Sequence, residues 1–324
     1  MKNRLGSFVI SLDFEMMWGI LDHDNPMDYE TNIQNVRGVV PALLRLFREY
    51  NIHATWGVVG LLIQNSIEEC ENNKTLFLPT YDEQRLSSYT YFEKLKGIEP
   101  NYLFAKDLVE LIQKTPGQEI ATHTYSHYYC MEQGQTKEQF EADIRKTVEI
   151  NHSIGIDLKT IIFPRNQCNP DYFEVLKKYG INYYRGNEKA WFYQSADKKK
   201  YKSLLRRGFR LLDNYIPLAG PCCYNYSEIN DGDGMICVPS SRFFRPYSKR
   251  LAFVETIRLN RIKNQMKYAA KHGEIFHLWW HPHNFGLYLN ENLKSLEEIL
   301  DYYLFLNSEF DYDSKNIFEI GEVV

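Results

Sequence analysis

No CxxC pair occurs in this chain. Its six cysteines (Cys70, Cys130, Cys168, Cys222, Cys223 and Cys237) are scattered over 324 residues. That spacing disfavours a zinc ribbon, and buried free thiols are the expectation, with vicinal Cys222-Cys223 the one redox-active candidate. Positive charge is not in excess either: 38 Lys and Arg stand against 42 Asp and Glu, a net charge of −4. A nucleic-acid binder usually shows a basic surplus, so that class gains no support. No apolar run reaches the roughly 18 residues that span a bilayer. The opening residues Met1-Lys-Asn-Arg-Leu-Gly lack the apolar stretch and cleavage site of a signal peptide, so a cytoplasmic location is expected. Repeats, low-complexity tracts and a flexible linker are missing as well. So is His-Glu-x-x-His, which removes the metalloprotease pattern.

What is present is enough apolar material for a sizeable core, 44% of the chain, which excludes the disordered class. The length allows one large domain or two ordinary ones. Short apolar runs alternate with amphipathic helices. Phe8–Leu12 reads as a buried strand, and residues 35–50 place Val36, Val39, Val40, Leu43, Leu44 and Phe47 on one helical face. A strand over 52–60 follows, then a helix near 104–114 and a strand at 118–122. Thr136-Lys-Glu-Gln139 is a capping box that opens a further helix. Strands at 160–163 and 181–184 flank a helix from Pro170 to Gly180. Helix 253–272, strand 274–280 and a helix near 291–305 end the series. Repeated strand–helix units imply a parallel sheet, open or closed into a barrel, with function gathered at the carboxyl ends of the strands.

Several chemistry-bearing residues fall at those ends. His123-Thr-Tyr-Ser-His127 carries two imidazoles four residues apart. If the segment turns helical, both face one way and grip a metal ion. Asp13-Phe14-Glu15 follows the first strand. Residues i and i+2 of a strand share a face, so Asp13 and Glu15 point together, one able to bind metal and the other to take a proton from water. Arg165, after the strand ending at Phe163, is suited to keep a carboxylate base charged and oriented. His281 closes a strand that carries Trp279 and Trp280. Pro282 stops that strand, which favours His281 over His277 and His283 as the residue at the rim, placed to protonate a leaving amine.

Taken in order, these pieces resemble the polysaccharide deacetylase family, also described as the NodB-homology family or carbohydrate esterase family 4. His123-Thr-Tyr-Ser-His127 matches its His-Ser/Thr-x-x-His motif, and Ala54-Thr-Trp-Gly-Val-Val-Gly60 is similar to its Ala-Thr-Phe-Phe-Val-x-Gly strand. The likeness spans roughly residues 8–285. It implies an α/β fold, a distorted (β/α)7 TIM-like barrel, in a single domain with irregular insertions near 65–103 and 187–250. It implies a divalent metal, usually zinc but also cobalt, nickel or manganese, and hydrolysis of an N-acetyl amide on a sugar. By this resemblance His123 and His127 are metal ligands, Asp13 the general base, His281 the general acid, and Arg165 the residue orienting Asp13. The family's second acid falls on Phe14, so Glu15 is expected to replace it as ligand. The arginine motif runs Pro164-Arg165 where the family has Arg-x-Pro, and Asn187-Glu-Lys-Ala-Trp191 stands where it has Asp-x-x-Asp-Trp.

Acetylated carbohydrate is therefore the expected substrate, with Trp191, Trp279 and Trp280 as candidate stacking platforms for sugar rings. The basic run Lys198-Lys-Lys-Tyr-Lys202 with Arg206-Arg207 suits an anionic glycan or lipid phosphate, or simply a solvated loop. Two rival functions stay open. A glycosidase needs two carboxylates across the sugar and would leave the histidines idle; a non-catalytic carbohydrate-binding protein is the other.

Overall fold

The computed structural model describes residues 5–194, 203–229 and 234–324. Its first strand, β1 (Ser7–Phe14), is buried along its whole length, because it is covered on both faces. Phe8, Ile10, Leu12 and Phe14 point outward into the main core with Val39, Val40, Leu43 and Phe47 of the helix Val36–Glu49. The alternate residues Ser7, Val9, Ser11 and Asp13 point inward, as the two-residue period of a strand requires.

The other strands are β2 (Ala54–Val58), β3 (Gln118–Thr122), β4 (Thr160–Ile161), β5 (Tyr183–Gly186), β6 (Ile236–Pro239), β7 (Arg242–Phe243), β8 (Ile275–Trp280) and β9 (Asp313–Ser314). They form one sheet in the order β6-β5-β4-β3-β2-β1-β8-β7, with β9 added beside β1. All pairings between these strands are parallel. The sheet curls until β6 and β7 meet: they are consecutive in the chain, β6 pairs with β5 and β7 with β8. Between them Ser240 N–H donates to Gly186 O (2.9 Å) and Ser241 N–H to His277 O (2.8 Å). One bent stave thus closes the curl, giving a distorted (β/α) barrel with the helices outside.

Residues 236–243, which the sequence pattern placed within an insertion, are that closing stave. The capping box at Thr136 forms in both halves. The segment 65–103 holds short helices such as Ile67–Asn72 and Phe92–Leu95.

The barrel interior is layered. At the amino ends of the strands, Val9, Val238 and Ile275 pack against Ile317 and Ile320 of the C-terminal helix Ile317–Gly321. That helix plugs the barrel, and sequence periodicity gave no sign of it. The Ile317 N–H donates to Thr55 Oγ1 (2.9 Å) and the Phe318 N–H to the buried Glu119 carboxylate (3.2 Å), so two barrel side chains cap its first turn. The middle layer is polar: His277 Nε2 lies 2.8 Å from Ser11 Oγ. The layer at the carboxyl ends carries the ionisable groups described below.

Burial pushes His277 down to about 3, and the Arg185 charge acts in the same direction. The unfolded chain titrates near its ordinary value of 6.5. Protons therefore bind the unfolded state first: the contribution is intact above about pH 7.5 and is lost as pH falls through about 6.5. Between about pH 7 and pH 5, His277 is expected to remove about 2 kcal/mol of unfolding free energy. Urea titrations across that interval should show a shallower pH dependence for His277→Gln than for the native chain.

Candidate active site

Glu15, His123 and His127 converge at the carboxyl end of the barrel, all three buried, with one ligand atom from each within 4.8 Å of the others. The Glu15 Oε2 atom is 3.4 Å from His123 Nε2 and 3.1 Å from His127 Nε2. Glu15 lies just past β1, with φ −126° and ψ −11°, yet its carboxylate still shares a side with Asp13. Gly19 is what gives it room, since a Cβ there would overlap the Glu15 carboxylate. Phe14 turns the other way and packs edge-on against Trp56.

The histidine pair does not come together on a helix, as the i, i+4 spacing suggested. Residues 123–129 form a non-helical turn in which Thr124 and His127 adopt left-handed φ values of 63° and 59°. Asp143, on the helix Lys137–Ser153, holds the turn. It accepts from Tyr125 N–H (2.6 Å), Ser126 N–H (3.0 Å) and Ser126 Oγ (2.5 Å). Thr124 Oγ1 accepts from Tyr128 N–H at 2.7 Å. His123 Nδ1 is 2.8 Å from Ile162 O. A carbonyl can only accept, so Nδ1 carries the proton and Nε2 presents its lone pair to the cluster.

Asp13 receives a two-pronged ion pair from Arg185, at the end of β5, with distances of 2.6 and 2.8 Å. Arg185 is itself fixed by Asn166 Oδ1 (2.7 Å), Ser11 Oγ (3.2 Å) and the Trp279 ring, 4.3 Å away. Trp279 in turn lies 3.3 Å from buried Glu188 through its indole N–H. His281 completes the group, with Nε2 3.7 Å from Asp13 Oδ2 and 3.5 Å from Glu15 Oε1.

The electrostatics set the protonation states. Burial alone would raise Asp13, but the Arg185 guanidinium and the nearby imidazoles outweigh it and hold the carboxyl below its ordinary value. Burial is likewise outweighed at Glu15, where His281, His123 and His127 keep the carboxyl well below the usual range. Burial drives His127 the other way, toward neutral imidazole, against the pull of Glu15. An ionised carboxylate beside a neutral imidazole is the state a metal site requires. Desolvation pushes neighbouring His283 down to about 3.

Of the residues singled out in the sequence, Asp13, Glu15, His123, His127 and His281 are brought together. Arg165 is not Asp13's partner. It pairs with Asp22 and approaches Glu132 at 3.8 Å, lying over the Tyr129 ring. Its turn, Pro164–Asn166, contributes through Asn166 instead. Trp279 faces the barrel interior, whereas Trp280, one residue on, faces outward and is fully buried among Phe47, Phe244 and Phe285. Trp191 is exposed and packs on Phe192 and Phe209, apart from the cluster. Lys198–Lys202 lies outside the described residues. Sequence reasoning missed Arg185, Asp143 and Gly19. The first had a signal: a charged residue directly following the buried-type run Ile181–Tyr184.

At the carboxyl ends of its strands the parallel barrel thus brings together two histidines, the Glu15 carboxylate, a buried Asp–Arg pair and a rim histidine, a set of donors that could hold a metal ion. The sequence matches the model of the polysaccharide deacetylase family over residues 8–184, more than half of the chain, and the chain belongs to that family, whose members hydrolyse N-acetyl amide bonds of carbohydrates. Comparison with curated proteins found no match. Among solved structures, the fold is similar to a Mycobacterium smegmatis protein classed as a polysaccharide deacetylase (TM-score 0.58, 14% identity, 98% of this chain and 90% of that one). It is also similar to Puue allantoinase (TM-score 0.55, 11% identity, 98% and 88%). A third likeness is to 4-alpha-glucanotransferase from Thermococcus litoralis (TM-score 0.53, 12% identity, 99% and 41%).

Asp143 accepts from two buried backbone N–H groups and a hydroxyl at once. Asp143→Ala is therefore expected to lower unfolding free energy by about 3 kcal/mol in urea titrations, with Asp143→Asn losing less.

Proposed function

We propose that the protein is a divalent-cation-dependent N-deacetylase acting on an N-acetylated amino sugar of a polysaccharide or glycan precursor. The observation that carries this reading is the convergence of Glu15, His123 and His127 within 4.8 Å, beside Asp13 and His281. The donor set fits a cation. Two imidazole nitrogens and one carboxylate oxygen make a three-ligand site that leaves a position open, the usual pattern of catalytic zinc. Zinc is the leading candidate, with cobalt, nickel and manganese compatible with the same donors.

A cation held there would supply Lewis-acid polarisation of the amide carbonyl and activation of water. Glu15, His123 and His127 would hold it. Asp13, kept ionised by Arg185, takes the proton of the attacking water. His281 donates a proton to the departing nitrogen, so that acetate and a free amine are the products. Arg185 fixes the orientation of Asp13 through both of its oxygens, and Trp279 offers an indole face above Arg185 at the site's wall.

A glycosidase is less compatible with the geometry. Asp13 and Glu15 leave the same strand on the same side and both face His281, whereas glycosidic cleavage needs two carboxylates on opposite sides of the sugar.

Metal content of the purified protein and acetate release from a chitooligosaccharide test the proposal. His123→Ala is expected to lose bound metal and turnover together; full metal occupancy in that variant would remove the ligand assignment. Asp13→Asn is expected to keep the metal while kcat falls by about 10²- to 10⁴-fold. An undiminished rate would exclude Asp13 as the base. Arg185→Lys, which forfeits the planar two-pronged contact, is expected to lower kcat more than Arg165→Lys. Release of reducing ends in place of acetate would favour the glycosidase.

A further inference from the structure

Beyond β5 the chain leaves the barrel at the rim that carries the site and returns to the sheet through a single bridge from Tyr224 to Ile275 before β6. Residues 198–218 in this excursion hold seven Lys and Arg against one Asp, in a chain whose net charge is −4. The single acid, Asp213, is buried and paired with Arg242 at 2.9 Å. Lys198, Lys199, Lys200 and Lys202 lie outside the described residues and enter only through their charge.

The helix Leu204–Asp213 is amphipathic by sequence. At 100° per residue, Leu204, Leu205, Leu211 and Leu212 gather on one side, and Arg206, Arg207 and Arg210 on the other. An apolar face of this kind ordinarily packs on the core. Here it faces solvent: Leu204 is 81% exposed, Leu205 63% and Leu212 50%, and Ile216, just beyond the helix, is 53% exposed. The helix is anchored through Phe209, which packs on Trp191 and Phe192, with Arg206 and Arg210 half-buried at its flanks and Arg207 exposed. Arg206 donates to Gln194 O at 3.1 Å and approaches the Trp191 ring, and Tyr193 reaches Asp213. An outward apolar face rimmed by charge marks an interaction surface.

Charge decides what covers it. A second copy of this chain would bring like charges together, whereas anionic lipid offers acyl chains to the leucines and headgroups to the cations. We propose that the helix Leu204–Asp213 docks on an anionic lipid bilayer, its leucines entering the headgroup boundary while exposed Arg207 and the net positive charge of the segment favour the anionic surface. The chain then lies on the membrane without spanning it. That the substrate is an amino sugar presented at that surface rests additionally on the deacetylase reading; the docking itself does not.

The test is sedimentation of the full chain with vesicles of phosphatidylcholine, alone or with about 30% phosphatidylglycerol. Binding to the anionic vesicles is expected, at least about tenfold weaker to neutral ones and about tenfold weaker in high salt. The pairs Leu204→Ser/Leu205→Ser and Leu211→Ser/Leu212→Ser are each expected to weaken it about tenfold or more. Melting temperature and turnover of a soluble chitooligosaccharide should not change. No binding, equal binding to both vesicle types, or binding untouched by the leucine substitutions would overturn the proposal. So would a solution dimer, seen by ultracentrifugation, that the same substitutions dissolve. Because partitioning is read without any reaction, an inactive enzyme that binds vesicles would sink the deacetylase reading and leave this one standing.

Discussion

A guanidinium and a carboxylate sealed inside a barrel are tolerable only together, and the Arg185–Asp13 pair is the contact on which the site depends. Each ion alone would carry several kcal/mol of desolvation. Paired through both oxygens, with Asn166 and Ser11 taking further guanidinium hydrogens and Trp279 stacked on its face, the charges remain ionised in a dry place. This explains why three strands and a turn contribute to one interaction. Ser11 and Asp13 come from β1, Arg185 from β5, Trp279 from β8, and Asn166 from the turn after β4. Neighbouring His277 can stay neutral there because both its burial and the Arg185 charge oppose a second cation.

Strand parity does the rest of the positioning. On β1 and β8 every second residue faces inward, so Ser11 and Asp13, like His277, Trp279 and His281, form a column rising from the apolar plug to the rim. The column fails to continue as a strand only where the chemistry requires it. Around the site Met16, Thr124, His127, Arg165 and Asn166 all have positive φ, a conformation that disfavours L side chains and persists where surrounding contacts overdetermine it. Asp143 is one such contact at the histidine turn.

The framework was legible in the sequence because burial and periodicity write it plainly. Phe8–Leu12, the helix around Val36–Phe47 and the Thr136 capping box each carry a local pattern with one physical meaning. The place of His281 at the rim was also legible, since Pro282 ends the strand, and its ring lies beside Asp13 and Glu15. Three things were not. The histidine turn depends on Asp143, which lies on the following helix, and no local rule links the two. Arg165 and Arg185 both follow apolar strands, and only the barrel's closure decides which one reaches Asp13. Trp279 and Trp280 are equal in composition but opposite in face. The plug at Ile317–Gly321 was hidden because a helix so short has no readable period.

The charges at the site's floor bear on the proposal that a cation binds there. Asp13 and Arg185 cancel. Glu15 remains, and the imidazoles around it are of mixed obligation: His123 has committed its Nδ1 proton to Ile162 O, and burial drives His127 toward neutrality. A lone buried carboxylate facing two imidazole nitrogens is an incomplete electrostatic arrangement, because a neutral imidazole offers it at most one proton and a charged one is opposed by desolvation. A dication held by Glu15, His123 and His127 would resolve both demands, because the two nitrogens offer lone pairs and the carboxylate a compensating charge. It would also turn the local charge from negative to positive, the sign that stabilises an oxyanion developing on an amide carbonyl. On the proposed reading Phe14, where the family has its second aspartate, is no obstacle: the phenyl ring serves the outer core, and the Glu15 carboxylate, given room by Gly19, faces the histidine pair.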